Sequence, residues 1–202
     1  MDFYVTIGFL MLFFGMVAVE AGTISSDLNA LLAFRQGVLD PQHALDSWDS
    51  TLIDPCTWFH VTCDNNKRVI RLDLMRYGLS GNLSPQLGTL DRLMYLELFG
   101  NNFDGPIPQE LGNLVNLKSL DLYNNRFSGR IPPSLGKLRS LIFFRLNNNQ
   151  LRGSIPGELG NIPTLKVVDV SSNHLCGPVP RGGSLSKVTY NYGNNPSINK
   201  PC

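Results

Sequence analysis

Large apolar residues recur along the chain with a period of 24 residues. Leu-Gly pairs fall in register at positions 87, 111, 135 and 159, and Ile-Pro or Val-Pro pairs follow at positions 107, 131, 155 and 179. The repeated unit carries the pattern L-x-x-L-x-L-x-x-N-x-L. A unit of this size cannot bury its apolar face alone, so consecutive units must stack. The pattern therefore predicts an α/β solenoid.

Five repeats occupy residues 69–180, and each contains a short strand in which apolar and polar residues alternate. The repeats begin at Val69, Leu93, Leu117, Leu141 and Leu165. Because side chains alternate between the two faces of a strand, one polar residue of each repeat should point outward. These outward residues are Asp73, Glu97, Asp121, Arg145 and Asp169. The arrangement predicts a parallel sheet on the concave face of an arc.

Polar turns follow the strands. Tyr77 stands at the turn of the first repeat, and the later repeats have an asparagine there, at Asn101, Asn125, Asn149 and Asn173. A buried amide pairs with backbone groups that a turning chain leaves without partners, so we interpret these asparagines as structural. Segments such as Ser-Gly-Arg-Ile-Pro at 128–132 favour extended and 3₁₀ structure on the convex side.

The repeats are flanked by two different segments. Residues 22–68 are predicted to form an N-terminal cap, in which 25–48 has a helical pattern that Asp40-Pro41 interrupts and Ser25-Ser26-Asp27 offers an N-cap. Trp48 and Trp58 are interpreted as plugs over the core of the first repeat. Residues 181–202 are rich in Gly, Ser and Asn, which predicts a loosely structured tail tied down at its end.

The first residues of the chain are typical of a secretory leader. Residues 3–19 are almost free of polar groups, and Val19-Glu20-Ala21 has the small residues that suit cleavage after Ala21. Residues 1–21 are therefore predicted to be a signal peptide. Because Asp2 precedes the apolar run and no Lys or Arg does, an uncleaved anchor is the alternative.

Four cysteines follow the leader, at positions 56, 63, 176 and 202. In an exported chain an even number of cysteines indicates disulfides, and three pairings are possible. Proximity in sequence favours Cys56 with Cys63, which leaves Cys176 with Cys202. A metal site is the weaker alternative because no C-x-x-C motif or histidine cluster accompanies them. We expect no metal and no cofactor.

Charge and motifs argue against two classes of function. The 202 residues carry a formal net charge of +1, which gives no electrostatic footprint for nucleic acid. No nucleophile-elbow or zinc-protease motif is present, and the outward Asp73 and Glu97 lie on an open surface without a pocket to shift a pKa. We expect that the protein is not an enzyme.

The repeats with Gly-x-Ile-Pro resemble plant-type leucine-rich repeats. Two motifs make this resemblance more specific. They are C-x-W-x-x-V-x-C at 56–63, with His60 where most of that superfamily has Gly, and Tyr-Leu-Glu-Leu-Phe at 95–99. Over residues 26–180 the chain is similar to the ectodomains of somatic embryogenesis receptor kinases and to the short secreted proteins related to them. The tail after Pro180 departs from the Pro-rich hinge and membrane helix of the kinases, which favours the short secreted group.

The resemblance implies which residues bind. Such co-receptor ectodomains dock onto a larger leucine-rich-repeat receptor that already holds its hormone or peptide. Phe59 and His60 match cap residues that reach the ligand and the receptor, and Phe99 stands where the family usually has Tyr. The matching inner-face positions are Tyr95, Phe99, Tyr123, Phe143 and Arg145.

The residues support the same site without the resemblance. Strands of a sheet lie ~4.8 Å apart, so Phe99 and Tyr123 should be neighbours on the concave face, and Tyr95 and Phe143 should share a second column. Outward aromatic residues are typical of interfaces, although they also shield one another. The outward acids repel one another, and a cationic partner would relieve this repulsion. The alternative is an internal ladder in which Arg145 pairs with Asp121 or Asp169, a surface ion pair that contributes little stability.

Three further polar residues lie outside the predicted binding site. His43 and His174 have no partner pattern and are interpreted as surface or turn residues. Asn82-Leu83-Ser84 is the only glycosylation sequon, and a glycan on Asn82 would mark a face that is not used for docking.

The sequence thus predicts a secreted, non-catalytic module that binds protein in plant signalling or defence. Its expected partner is a leucine-rich-repeat receptor kinase ectodomain, which it joins as a co-receptor or decoy in the extracellular space, the cell wall or at the outer face of the plasma membrane. We expect a monomer with peripheral membrane contact only. One alternative is an inhibitor of a cell-wall-degrading enzyme, which normally has about ten repeats. The other is a ligand-free scaffold.

Overall fold

The computed structural model describes residues 26–52 and 54–202. The predicted leader, with its cleavage after Ala21, lies outside these ranges. One α-helix, α1, covers residues 26–36. In the described ranges no helix has the length and apolar character needed to cross a bilayer.

Short strands alternate with 3₁₀ helices after α1. The strands are β1 Val38–Leu39, β2 Val61–Cys63, β3 Val69–Asp73, β4 Ser80–Asn82, β5 Tyr95–Glu97, β6 Asn102–Asp104, β7 Ser119–Asp121, β8 Ser128–Arg130, β9 Phe143–Arg145, β10 Gln150–Ser154, β11 Val167–Asp169, β12 His174–Gly177, β13 Thr189–Asn191 and β14 Ser197–Ile198. The 3₁₀ helices are Pro55–Thr57, Pro85–Thr89, Gln109–Asn113, Pro133–Lys137, Gly157–Asn161 and Gly183–Ser186.

A seven-stranded sheet, which we call the concave sheet, carries the strands of the repeats in the order β13-β11-β9-β7-β5-β3-β2. Its strands are parallel except for β2, which pairs antiparallel with β3. The register places Tyr95 opposite Ser119 and Ser119 opposite Phe143. The predicted parallel sheet of the solenoid is therefore confirmed, with one residue per repeat in each outward column.

The other side of the arc contains the predicted extended and 3₁₀ segments. The extended segments pair laterally into a three-stranded sheet, β1-β4-β6, and a four-stranded sheet, β14-β12-β10-β8. An isolated parallel bridge from Pro106, two residues after β6, reaches Ser128 of β8. We call β8, β10, β12 and β14 the lateral sheet. Stacking of the coils thus provides hydrogen-bond partners for backbone groups on two sides of each coil.

The asparagine at each turn ties one coil to the preceding one. The Asn149 amide oxygen accepts from Phe127 N at 2.9 Å, and its nitrogen donates to Leu122 O and Leu146 O, both at 3.0 Å. Asn101, Asn125 and Asn173 make equivalent bonds. All four are buried. The structural role that the sequence predicts for them is confirmed.

The repeated Leu-Gly pair has a packing explanation. A Cβ placed on Gly112 would lie 2.4 Å from Ser134 O in the next 3₁₀ helix, and one on Gly136 would lie 2.5 Å from Glu158 O. Successive 3₁₀ helices therefore stack backbone against backbone, which only glycine permits at this position.

The helix of the N-terminal cap is shorter than the sequence predicts. The helix ends at residue 36, because Val38–Leu39 forms a strand that pairs antiparallel with Gly81 and Ser80. Asp27 is fully buried, and its carboxylate accepts from Arg68 and from Val69 N, which ties the helix to the first repeat.

The tryptophans of the cap seal the first repeat. Trp48 and Trp58 are both buried and stack with ring centroids 5.2 Å apart. The interpretation of the two rings as plugs over the core is confirmed.

The C-terminal segment is a sixth coil, which corrects the prediction of a loose tail. The strand β13 extends the concave sheet, and β14 pairs with β12 in the lateral sheet. Asn195 continues the asparagine ladder, since it accepts from Leu175 N at 2.9 Å and donates to Val170 O at 3.1 Å. The coil covers the apolar end of the fifth repeat. The prediction missed it because the Gly- and Asn-rich composition of residues 181–202 obscures the repeat pattern.

Both disulfides that the sequence favours are present in the structure, joining Cys56 to Cys63 and Cys176 to Cys202. The first closes the loop that carries Phe59 and His60. The second fastens the sixth coil to β12.

Replacing the ladder residue Asn149 tests the role of the turn. Asn149→Ala leaves the buried Phe127 N–H without its acceptor. It also removes one of the two asparagine amide bonds at each of two buried carbonyls, Leu122 O and Leu146 O, so we expect a loss of about 2–4 kcal/mol in unfolding free energy. This corresponds to a melting temperature lower by roughly 5–15 °C in a chain of this size. Asn113→Ala, at an exposed position in a 3₁₀ helix, is the control and should change it little. Equal effects of the two variants in thermal unfolding would contradict the ladder's role.

Removing the second disulfide tests whether the sixth coil is an ordered part of the solenoid. In Cys176→Ser, Cys202→Ser the loop of 26 residues is released, which lowers unfolding free energy by about 3–4 kcal/mol in the chain-entropy model. Hydrogen exchange should then accelerate first in β13 and β14, while β5 and β7 stay protected. Rapid exchange in β13 of the oxidised wild type would show that the tail is loose after all.

Candidate functional site: the concave surface

A ribbon of aromatic and cationic side chains crosses the concave sheet. We define the concave ribbon as Arg76, Phe99, Tyr123, Arg145 and Phe143. It extends over four successive repeats: Arg76, Phe99 and Tyr123 follow the strands β3, β5 and β7, and Phe143 and Arg145 belong to β9. The sequence predicts four of these five residues, and Arg76 is the addition.

The centre of the ribbon is a stacked aromatic pair. Phe99 and Tyr123 have ring centroids 4.5 Å apart and ring planes within 8° of parallel. Their separation follows from the spacing of parallel strands, as the sequence predicts. Both residues are half-buried, and β13 of the C-terminal coil lies three strands away from β7 in the concave sheet. Burial raises the pKa of the Tyr123 hydroxyl, and the nearby Asp121 carboxylate adds to the rise.

Guanidinium groups flank this pair at both ends. The Arg76 guanidinium lies 5.7 Å from the centroid of Phe99, and that of Arg145 lies 5.9 Å from the centroid of Tyr123. Arg145 also lies 5.2 Å from the ring centroid of Phe143, whose residue is 38% exposed. At these distances the cations are attracted to the ring faces, which orders the ribbon before any partner binds.

Arg145 is held in place from below by Asp121. The Arg145 side chain donates to both carboxylate oxygens, at 2.6 and 2.9 Å, and the Ser119 hydroxyl donates to the same carboxylate at 2.9 Å. The internal pairing that the sequence allows is therefore present. The pair differs from the expected surface pair, because the Asp121 side chain is only 3% exposed. Burial raises the pKa of Asp121, and the Arg145 guanidinium opposes this rise.

A second ion pair lies in the neighbouring column. Arg71 donates to Glu97 at 2.8 Å, and its guanidinium lies 4.0 Å from the ring centroid of Tyr95. Burial raises the pKa of Glu97 while Arg71 lowers it. Ser119 separates Tyr95 from Phe143 in this column, so the two rings are two repeats apart, as predicted. Two of the outward acids, Glu97 and Asp121, are thus each paired with an arginine of the protein itself.

The sequence prediction omitted Arg71 and Arg76. Arg71 is in register with Tyr95, and period-two alternation in the first repeat was sufficient to find it. Arg76 has a left-handed backbone conformation just after the strand, where alternation gives no direction for the side chain.

The cap presents Phe59 and His60 at the N-terminal rim of this surface. Phe59 is 71% exposed. Its backbone is fixed on both sides, because Trp48 Nε1 donates to Phe59 O and Phe59 N donates to the Ser47 hydroxyl, each at 2.9 Å. The exposed ring therefore stands on a rigid base.

His60 has a φ of +69°, in the left-handed region that glycine adopts most readily. Its carbonyl accepts from Asp73 N at 3.0 Å, which attaches the loop to the concave sheet. Its imidazole lies 4.7 Å from the ring of Tyr77 and 6.5 Å from that of Phe59, centroid to centroid. The three rings form a cluster that we call the cap rim.

Asn82 of the predicted sequon lies elsewhere. It is an exposed residue of β4, outside the concave sheet. Within the described ranges no group of three His, Cys, Asp or Glu residues is placed to hold a metal ion.

Two family models match the chain. A leucine-rich-repeat N-terminal domain matches residues 24–64, and leucine-rich repeats match 92–114, 116–138 and 140–162. Leucine-rich repeat protein 1 of Oryza sativa subsp. indica is 54% identical over 89 residues. That alignment spans 41% of this chain and 42% of the rice protein, so less than half of the relative's length is matched.

Solved structures match over most of the chain. The BIR2 ectodomain of Arabidopsis thaliana is similar with a TM-score of 0.78 and 34% identity, over 85% of this chain and 93% of that one. A chain of the Arabidopsis BIR3–SERK2 complex is similar with a TM-score of 0.74 and 29% identity, over 85% and 95% of the two chains. With its capped N-terminus, its repeats and this similarity, the chain belongs to the plant leucine-rich-repeat proteins, among which it is similar to receptor kinase ectodomains.

Proposed function

We propose that the protein is a non-catalytic, extracellular binding module whose concave ribbon and cap rim dock onto the ectodomain of a leucine-rich-repeat receptor kinase with its bound hormone or peptide. In this role it acts as a co-receptor or decoy partner in plant signalling or defence. The observation that carries the proposal is the stacked Phe99–Tyr123 pair on the concave sheet, which is preorganised by two arginines and is only partly buried.

The composition of the surface supports protein recognition. Aromatic residues and arginine are enriched at the centres of protein interfaces because they bury a large area with few free torsions. Arg145 and Tyr123 are already held by neighbours, so little conformational entropy is lost when they are covered. The cap rim adds an exposed Phe59 on a fixed backbone.

The similarity to known structures supports the kind of partner. One similar chain belongs to a complex of two Arabidopsis proteins, BIR3 and SERK2. An ectodomain of nearly equal length is thus seen bound to another protein. Two disulfides and the similarity to ectodomains support an extracellular setting.

Truncating the ribbon tests the docking surface. Phe99→Ala with Tyr123→Ala removes the central pair, and we expect affinity for the receptor ectodomain to fall more than tenfold, as for residues at an interface centre. The control is Leu39→Ala with Val115→Ala, which removes two hydrophobic side chains that are 72% and 48% exposed outside the concave sheet. Ligand-dependent pull-down, with the melting temperature of each variant measured, reads out the result. Equal retention of the two double variants would refute the proposed surface.

The cap rim has its own test. Phe59→Ala with His60→Gly removes both rings, and glycine suits the φ of +69° at position 60, so the fold should keep its melting temperature. We expect ligand-dependent pull-down with the full-length receptor to be lost. If binding persists unchanged, the rim does not contact the ligand or the receptor.

A further inference from the structure

A basic column lies on the lateral sheet, away from the concave ribbon. Arg130, Arg152 and His174 occupy paired register positions on β8, β10 and β12. In a parallel sheet such partners project from the same face at the ~4.8 Å spacing of the strands. All three residues are exposed.

The basic side chains of this column have no acidic partner in the described part of the chain. No carboxylate there lies within 4.0 Å of Arg130, Arg152 or His174. By contrast, Arg71 and Arg145 of the concave sheet are both paired. Like charges on adjacent strands destabilise each other, so a bound anion would offset a cost that the fold carries.

The three side chains line a concavity. A groove of about 470 Å³ is bounded by them, by Ser197 and, at its C-terminal end, by the Cys176–Cys202 disulfide. Glycines form part of its lining, and Arg130 lies over one of them, since a Cβ on Gly153 would be 3.1 Å from Arg130 Cγ. The groove follows the stacking direction of the coils and is open enough to admit a chain.

We propose that this groove binds a linear polyuronate, a polysaccharide that carries a carboxylate on each sugar. The planar guanidinium of arginine matches a carboxylate with two parallel hydrogen bonds. The strands that carry the column lie ~4.8 Å apart, whereas an extended acidic peptide places side chains on one face only every ~7 Å. A column of two arginines and one histidine also falls short of the 4–8 basic residues, roughly, that recruit a protein to an anionic membrane.

The test uses de-esterified polygalacturonate as the immobilised ligand and the full secreted chain as analyte. Its fully methyl-esterified form is the neutral control ligand, and poly-glutamate and anionic vesicles represent the other classes of polyanion. Arg130→Gln with Arg152→Gln removes two charges of the column. The matched control is Lys137→Gln with Lys166→Gln, which removes two exposed positive charges elsewhere.

We expect the wild type and the lysine variant to bind polygalacturonate alike, and the arginine variant to bind at least tenfold more weakly with an unchanged melting temperature. Binding should weaken as salt is raised, because the column is exposed. Equal binding by both variants, no binding at low salt, equal binding to the methyl ester, or preference for poly-glutamate or vesicles would each overturn the proposal. Receptor pull-down should survive in the arginine variant, so failure here leaves the function of the concave ribbon unaffected.

Discussion

The pairing of each coil's backbone with the next coil is the constraint on which the rest of the structure depends. A coil of 24 residues has more N–H and C=O groups than it can pair within itself, and burial makes unpaired groups costly. Parallel strands pair these groups on the concave side, and the two smaller sheets pair them on the other side of the arc. The asparagine ladder pairs them at the turn. The same pairing fixes the ~4.8 Å spacing that brings Phe99 onto Tyr123 and aligns Arg130, Arg152 and His174.

What repeats in the sequence was predictable from it. The 24-residue period was sufficient to predict the strands, the turns and the outward columns. The contact between Phe99 and Tyr123 therefore followed from their positions in the repeat alone. The two disulfides followed from the small number of pairings, and the tryptophan plugs followed from the need to cover the first coil.

What departs from the repeat was not predictable in the same way. The sixth coil lacks the leucine pattern, and it is recognised because Asn195 takes the ladder position 20 residues after Leu175, whereas the spacing in the other coils is 22. The helix stops at residue 36 because a distant strand, β4, offers Val38–Leu39 a pairing partner. Asp121 has an outward position by alternation, yet Arg145 and its neighbours bury it. In each case a non-local contact decides the outcome.

Hydroxyl-radical footprinting of the complex with a receptor ectodomain tests the central claim most directly. We predict that labelling of Phe99, Tyr123 and Phe59 falls when the receptor and its ligand are added, while Leu39 and Val115 are labelled as before. Unchanged labelling of the three aromatic residues in a complex shown to be intact would contradict it.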